Sequence, residues 1–472
     1  MPDIVFPISS APGARGRESA GRLVNGYAET LEDGRIVRRR VPGLAQVFEV
    51  EGSAHLRGFI LVDATLYLAL DGRLASAVLT GTTWTVTDLG ALPGTGPVTF
   101  ARNNRSPVPD VVSVADGAAY VISPTAPPAS YPDPDVGAPN AVTAIDGYFV
   151  FTYGDARARS TGLNTIAINT LDTAFAEAKP DGLRRGITFR GELFLMGLGT
   201  IEVWQNTGNP VGFPFSRVTV IPRGLAGPSA AAGFEDGWTN TLLFVGDDAV
   251  VYRLDGYTPV RVSTHPVERA IEGLPDRTAL EAFVFMAAGH AFWVLRSPAW
   301  CWVYDLTMQS WHERRSHGSA TFRASQSVRA FGKWLVGDQA SGKVFEISEA
   351  MQREGSDPLV LRVESLSTGD FPNRATASRL DIDIVTGTGV ASGLDPIETQ
   401  PVCLVSWSRD GGATFGEPMR RAIGAQGHVR QRVNVNRLGL IEPAGLVIAV
   451  ECADPVPFTL IGAHVGAGRR AR

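Results

Sequence analysis

Along most of this chain, two short apolar runs repeatedly face each other across a tight turn. Residues 56–61 pair with 66–70, 111–114 with 118–122, and 141–145 with 148–153. Further on, 187–189 pair with 193–196, 241–245 with 249–254, 283–287 with 291–295, and 327–331 with 334–336. The turns carry Asp116-Gly117, Asp146-Gly147, Arg190-Gly191, Gly289 or Gly332. Such residues accept the positive φ angles that two-residue hairpins need. The hairpins return every ~30 to 50 residues, a period that with paired strands points to propeller blades. A third strand follows several of them, as at Val203-Trp204-Gln205, Tyr252-Arg253-Leu254 and Trp302-Val303-Tyr304-Asp305. No blade carries a WD or kelch signature, so an array of β-sandwiches is the competing architecture. Helical pattern is confined to residues 171–178 and 267–273, too short for α/β crossover helices.

The pattern changes near residue 350. Residues 348–358 are polar and read as a linker. Longer strands follow at 359–366, 379–385, 402–407, 429–435, 446–452 and 458–465, as expected of an antiparallel β-sandwich-like module. The first fifty residues hold Pro7, Pro12, Pro42-Gly43 and the basic run Arg38-Arg39-Arg40. The expected division is an extended N-terminal arm (1–50), a β-propeller (51–350) and a C-terminal β module (351–472). The fold class is all-β.

Charge restricts the function. With Lys+Arg 43 against Asp+Glu 48, the net charge is −5. A protein that grips DNA phosphates is normally basic, which argues against a dedicated DNA binder. It does not argue against a surface past which DNA slides. Cys301, Cys403 and Cys452 are far apart and odd in number, so free thiols and folding in a reducing cytoplasm are expected. Residues 1–20 lack the pattern of a signal peptide. The most apolar stretch, 282–295, is broken by Gly289-His290 and reads as a buried strand pair rather than a membrane span.

One motif looks enzymatic. Ser408, Asp410, Gly412, Thr414 and Phe415 match S-x-D-x-G-x-T-F, the Asp-box of sialidase-type propellers. In it the carboxylate accepts turn N–H groups, Gly412 takes a left-handed conformation, and Phe415 packs on the sheet beneath. It occurs once and reads as a structural turn. No catalytic, cofactor-binding or metal site is expected. His312 and His317 lie in a charged stretch that reads as a solvated loop, not a metal pair. Candidate subunit or phosphate contacts are Arg38, Arg39 and Arg40, and Arg469, Arg470 and Arg472. Arg35 joins the first of these clusters, and a third basic cluster holds Arg430, Arg432 and Arg437.

Short phrases recur in a recognisable order. Leu23-Val24-Asn25-Gly26-Tyr27-Ala28-Glu29 precedes Arg40-Val41-Pro42-Gly43-Leu44. Lys179-Pro180-Asp181-Gly182-Leu183, Gly199-Thr200-Ile201-Glu202-Val203-Trp204, Thr207-Gly208 and Arg223-Gly224-Leu225-Ala226-Gly227 follow. Trp407 to Gly412, Arg437-Leu438-Gly439 and Pro455-Val456-Pro457-Phe458 close the series. In this order the chain resembles the packaged-DNA stabilisation proteins of podoviruses, also called tail hub or nozzle proteins. The resemblance implies a virion tail component, made in the host cytoplasm, that forms a homohexameric ring below the portal and its adaptor. Such a ring narrows the exit channel, retains the packaged genome and carries the needle or tip and the tailspikes or fibres. Genomic double-stranded DNA passes through its lumen without sequence-specific binding, so lumen-facing residues are expected to be acidic or neutral. No cofactor and no catalysis are implied. The alternative is a glycan-binding or sialidase-like propeller, which a pocket of converging arginines would favour.

Overall fold

The computed structural model describes residues 3–467 except 15, 177, 180 and 210. Among these, seven four-stranded antiparallel blades form the propeller. Blade 1 starts at Leu56–Val62, blade 2 at Val98–Arg102, blade 3 at Ala141–Ile145 and blade 4 at Leu183–Phe189. Blade 5 starts at Ala231–Ala232, blade 6 at Glu281–Ala287 and blade 7 at Ala324–Ala330. Every hairpin read from the sequence lies within one blade, so each blade contains one. Their turns behave as the Asp-Gly chemistry requires: Asp116 and Gly117 have φ 45° and 81°, Asp146 and Gly147 have 51° and 87°.

Packing between blades explains why the runs are apolar on both faces. In Thr65–Leu70 of blade 1, Leu66, Leu68 and Leu70 pack with Leu335 and Val344 of blade 7. Tyr67 and Ala69 of the same strand point the other way and pack with Val98 and Val111 of blade 2. A strand between two neighbours buries both of its side-chain rows and loses the polar alternation of a half-exposed strand.

The ring is closed from the N-terminal side. The fourth strand of blade 7 is Gly43–Glu49, paired antiparallel with Lys343–Ser348 from Ser348↔Gly43 to Lys343↔Glu49. Residues 1–50, expected as an extended arm, thus supply the closing strand. They also supply the hairpin of Gly26–Thr30 and Ile36–Arg40, which pairs with Thr459–Ala467. Residues 359–366 close nothing: Leu361–Glu364 pairs with Val447–Cys452 and with Arg22–Val24.

The C-terminal sandwich has two sheets around one core that includes Leu380, Val405, Val435, Ile448 and Leu460. One of its sheets is continuous with blade 6. Ser310–Glu313, the outer strand of that blade, bonds parallel to Arg22–Val24, and Val24 pairs with Glu313. Asn25 locks the junction with φ 54°. Its side chain donates to the carbonyls of Arg315 (2.9 Å) and Val360 (2.8 Å) and accepts from the Arg315 N–H (2.8 Å).

Several local expectations change. Residues 171–178 fall largely in the strand Ile168–Phe175, the outer strand of blade 3. The Leu171/Phe175 spacing imitates a helix face, but both side chains are exposed on a blade edge. The helix expected at 267–273 is His265–Glu272. The linker region contains Arg353–Glu354 and Asp357–Pro358, which extend the blade 7 sheet, with Glu354 buried. His312, Glu313 and Arg314 are buried, not solvated, because residues 9–10 and 22–25 lie over them. Burial pulls the His312 imidazole down to about 3. Residues 282–295 are the blade 6 hairpin, and no described helix is long and apolar enough to cross a membrane.

Candidate functional site

Three places in the fold concentrate polar chemistry: the Asp-box turn with its cleft, the basic run near residue 39, and the axial channel. The Asp-box follows Val402–Ser408, an inner strand of the sandwich rather than of the propeller. Asp410 Oδ1 accepts from Ser408 Oγ (2.6 Å) and from the N–H groups of Thr414 (3.0 Å) and Ala413 (3.1 Å). Its Oδ2 accepts from Thr414 Oγ1 (2.7 Å). Ser408 Oγ accepts from the Gly412 N–H at 2.8 Å, and Gly412 has φ 92°. Desolvation opposes ionisation of Asp410, but the bonds from Ser408, Thr414 and Ala413 prevail and hold it near 2. All four of these bonds come from its own turn. Phe415 does not enter the core. It is half-buried and covers the guanidinium of Arg362 at 5.2 Å, a cation–π contact.

Beneath this turn lies a cleft of about 450 Å³ whose lining includes Arg22, Arg315, Arg362, Glu364 and Phe415. Three arginines therefore do converge, the feature named above as favouring a sialidase. Their heads are engaged. Arg22 forks onto Glu313 (3.0 and 2.6 Å), and Arg315 reaches the same carboxylate at 2.7 Å. Arg362 donates to Glu364 (2.8 Å) and Glu451 (3.1 Å). Burial opposes ionisation of Glu313, yet the two arginines keep it below the usual carboxylate range. The cleft is an ion-paired seam where blade 6 meets the sandwich.

The run Arg38-Arg39-Arg40 alternates, as a strand must. Arg38 is buried and donates to the carbonyls of Phe6, Pro7 (3.0 Å) and Ile36 (2.9 Å). Arg40 is buried and donates to those of Cys452 (2.8 Å), Asp454 (2.8 Å) and Val456 (3.1 Å). Both are clasps within the chain and are unavailable as subunit or phosphate contacts. Only Arg39 faces outward, paired with Glu29 at 2.5 Å. Arg469, Arg470 and Arg472 lie outside the described residues.

The first strands of the blades form the inner wall of the propeller. Side chains stitch them together: the Val142 N–H donates to Thr99 Oγ1 (3.0 Å), Ser327 Oγ to Val284 O (2.6 Å), and Gln326 Nε2 to Arg57 O (2.9 Å). They enclose a cavity of about 890 Å³ along the axis. Its charged lining includes Arg102, Arg184, Arg185, Glu235, Glu281 and Arg329. The sequence reading missed these residues. The available signal was Arg184-Arg185 inside a strand that is otherwise apolar or small.

No curated protein matches the chain. Among solved structures, the WD40 β-propeller domain of Doa1 aligns at 13% identity over 65% of this chain and 97% of that one, with TM-score 0.42. The WD40 repeats of RRP9 align at 11% identity over 66% and 99%, also with TM-score 0.42. The family described as bacteriophage P22 Gp10, beta-propeller, matches residues 28–352. That stretch spans the closing strand and all seven blades. The chain therefore belongs to the bacteriophage P22 Gp10 β-propeller family of packaged-DNA stabilisation proteins.

Proposed function

We propose that the chain is a tail hub subunit. It joins the portal–adaptor complex after packaging, forms a sixfold ring with its own copies, narrows the exit channel and keeps the genome inside. Needle, tip and tailspike or fibre proteins then attach to that ring. The family match over residues 28–352 carries this reading.

Two structural features support it. The sandwich is welded to blade 6 through one continuous sheet, so a subunit of this kind transmits force without an internal hinge. The charge is also unevenly divided. Residues 41–360 hold 32 acidic and 24 basic side chains, whereas the rest of the chain holds 16 and 19. The propeller is the part suited to line a bore past which DNA slides, because like charge discourages phosphate binding. A non-catalytic role fits the Asp-box turn and the arginine cleft, whose groups are spent on internal bonds.

The test is genetic. A phage lacking this gene is expected to give heads that fill and then lose DNA, and added purified chain is expected to restore retention. Heads that keep their DNA and remain infectious without the protein would overturn the proposal.

A further inference from the structure

We propose that the axial channel of the propeller contains a binding site for a small anion, bearing a carboxylate or phosphate group, held by Arg184 and Arg185. The site does not depend on the ring.

The backbone singles these residues out. In blade 4 the pairing slips between Leu183↔Gly197 and Arg185↔Met196, so Arg184 sits in a β-bulge. A bulge sets two successive residues against one partner and re-aims their side chains. Here both residues line the channel. Two other inner strands also slip, at Arg57 in blade 1 and Gln326 in blade 7. Those side chains are used for structure. Arg57 donates to the carbonyls of Asp71 (2.5 Å), Gly96 (2.7 Å) and Leu92 (3.1 Å) and pairs with Asp116 (3.2 Å).

Arg184 and Arg185 have no such use. Among the described residues Arg184 makes no hydrogen bond or ion pair. Arg185 has one long bond, to Pro228 O at 3.4 Å, and lies over the Phe234 ring at 5.1 Å. The Nε atoms of both are shielded from solvent and unpaired. Arg40 and Arg314 also leave Nε unpaired, but the buried heads of Arg38, Arg40 and Arg314 all hold carbonyls or a carboxylate. Leaving a guanidinium desolvated and unmatched is costly, and desolvation pulls Arg185 down to about 10.

Among the described residues no carboxylate forms an ion pair with either arginine. Glu281 is taken by Arg296 (3.2 Å) and Ser325 (2.6 Å), and Asp116 by Arg57 and the N–H groups of Thr95 and Gly96. Glu235 attracts Arg185 through space but forms no ion pair with either arginine; it accepts from the Gly233 N–H at 2.6 Å, and burial pushes it up to about 7. Arg102 and Arg329 line the same cavity, as does exposed Asp236, and none of the three forms an ion pair among the described residues. Asp276 stands near Arg184 but accepts from Thr278. Unmatched positive charge thus exceeds unmatched negative charge. The cavity, about 890 Å³, lies in the range of small-molecule sites.

The test is calorimetric titration of the full chain with inorganic phosphate and with citrate, at matched ionic strength, with chloride and glucose as controls. Binding of either anion with a Kd on the order of 1 mM or tighter is expected, and which one binds assigns the group. Arg184→Gln/Arg185→Gln should weaken it about tenfold or more, whereas Arg39→Gln should leave it unchanged. If the double variant does not fold, Arg184→Gln alone, which removes a side chain without partners, serves the same purpose. Binding of neither anion, or binding undiminished in the channel variants, would overturn the proposal.

Discussion

Buried ionic residues decide much of what this fold tolerates. Arg314 and Glu354 pair at 2.9 Å where both are buried, and Arg314 also holds Pro42 O (3.0 Å) and covers Phe322 at 4.4 Å. The pair ties the end of blade 6 to the chain beside the closing strand. Glu354→Ala would strand a buried guanidinium, so a loss of about 3–5 kcal/mol is expected in urea unfolding. Arg39→Ala, in the part-exposed pair with Glu29, should cost about 1 kcal/mol. Glu235 gives the fold a pH dependence. Its folded value, pushed to about 7 by burial, lies above its ordinary value of 4.5. The folded chain therefore binds this proton more tightly than the unfolded chain. The associated stability is complete below about 4.5 and is lost as pH rises through about 7. Because Glu235 is part-exposed in the channel, about 1–2 kcal/mol is expected rather than the full shift. Glu235→Gln should match the wild type near pH 4.5 and exceed it by that amount at pH 8. Denaturation curves in which the two proteins stay parallel across this range would contradict the assignment.

At the scale of elements, the closing strand is the test of the ring. Leu44 is fully buried in Gly43–Glu49, so Leu44→Asp places a charge in the seam of blade 7. A loss above about 4 kcal/mol is expected. Leu171→Asp, on the exposed outer strand of blade 3, should stay within about 0.5 kcal/mol. The same contrast shows what the sequence made legible. The blade hairpins could be read because their signal is local: paired apolar runs and turns such as Asp116-Gly117. The partner of Gly43–Glu49 could not, because it lies about 300 residues away and nothing local specifies it. Arg38 and Arg40 were misread for the same reason. A basic run looks solvated until the carbonyls of residues 6–7 close over Arg38 and those of residues 452–456 over Arg40. At the Asp-box the turn was legible, but the cation beneath Phe415 comes from Arg362, on a different strand. The channel arginines were missed because a register slip, invisible in composition, is what aims them.

At the scale of the whole molecule, propeller and sandwich behave as one body because a single sheet runs from blade 6 through Arg22–Val24 into the sandwich. Asn25 and the Arg22–Glu313–Arg315 cluster hold that seam. A rigid subunit of this kind suits a closed ring, whose interface joins two different faces of the same protomer. In the proposed function such rings cap the packaged head. Electron microscopy of the purified chain mixed with the portal–adaptor complex of its own phage tests this most directly. A sixfold ring seated beneath the adaptor, narrowing its channel, is expected. Chains that remain free in solution, or that bind without forming a ring on the axis, would contradict it.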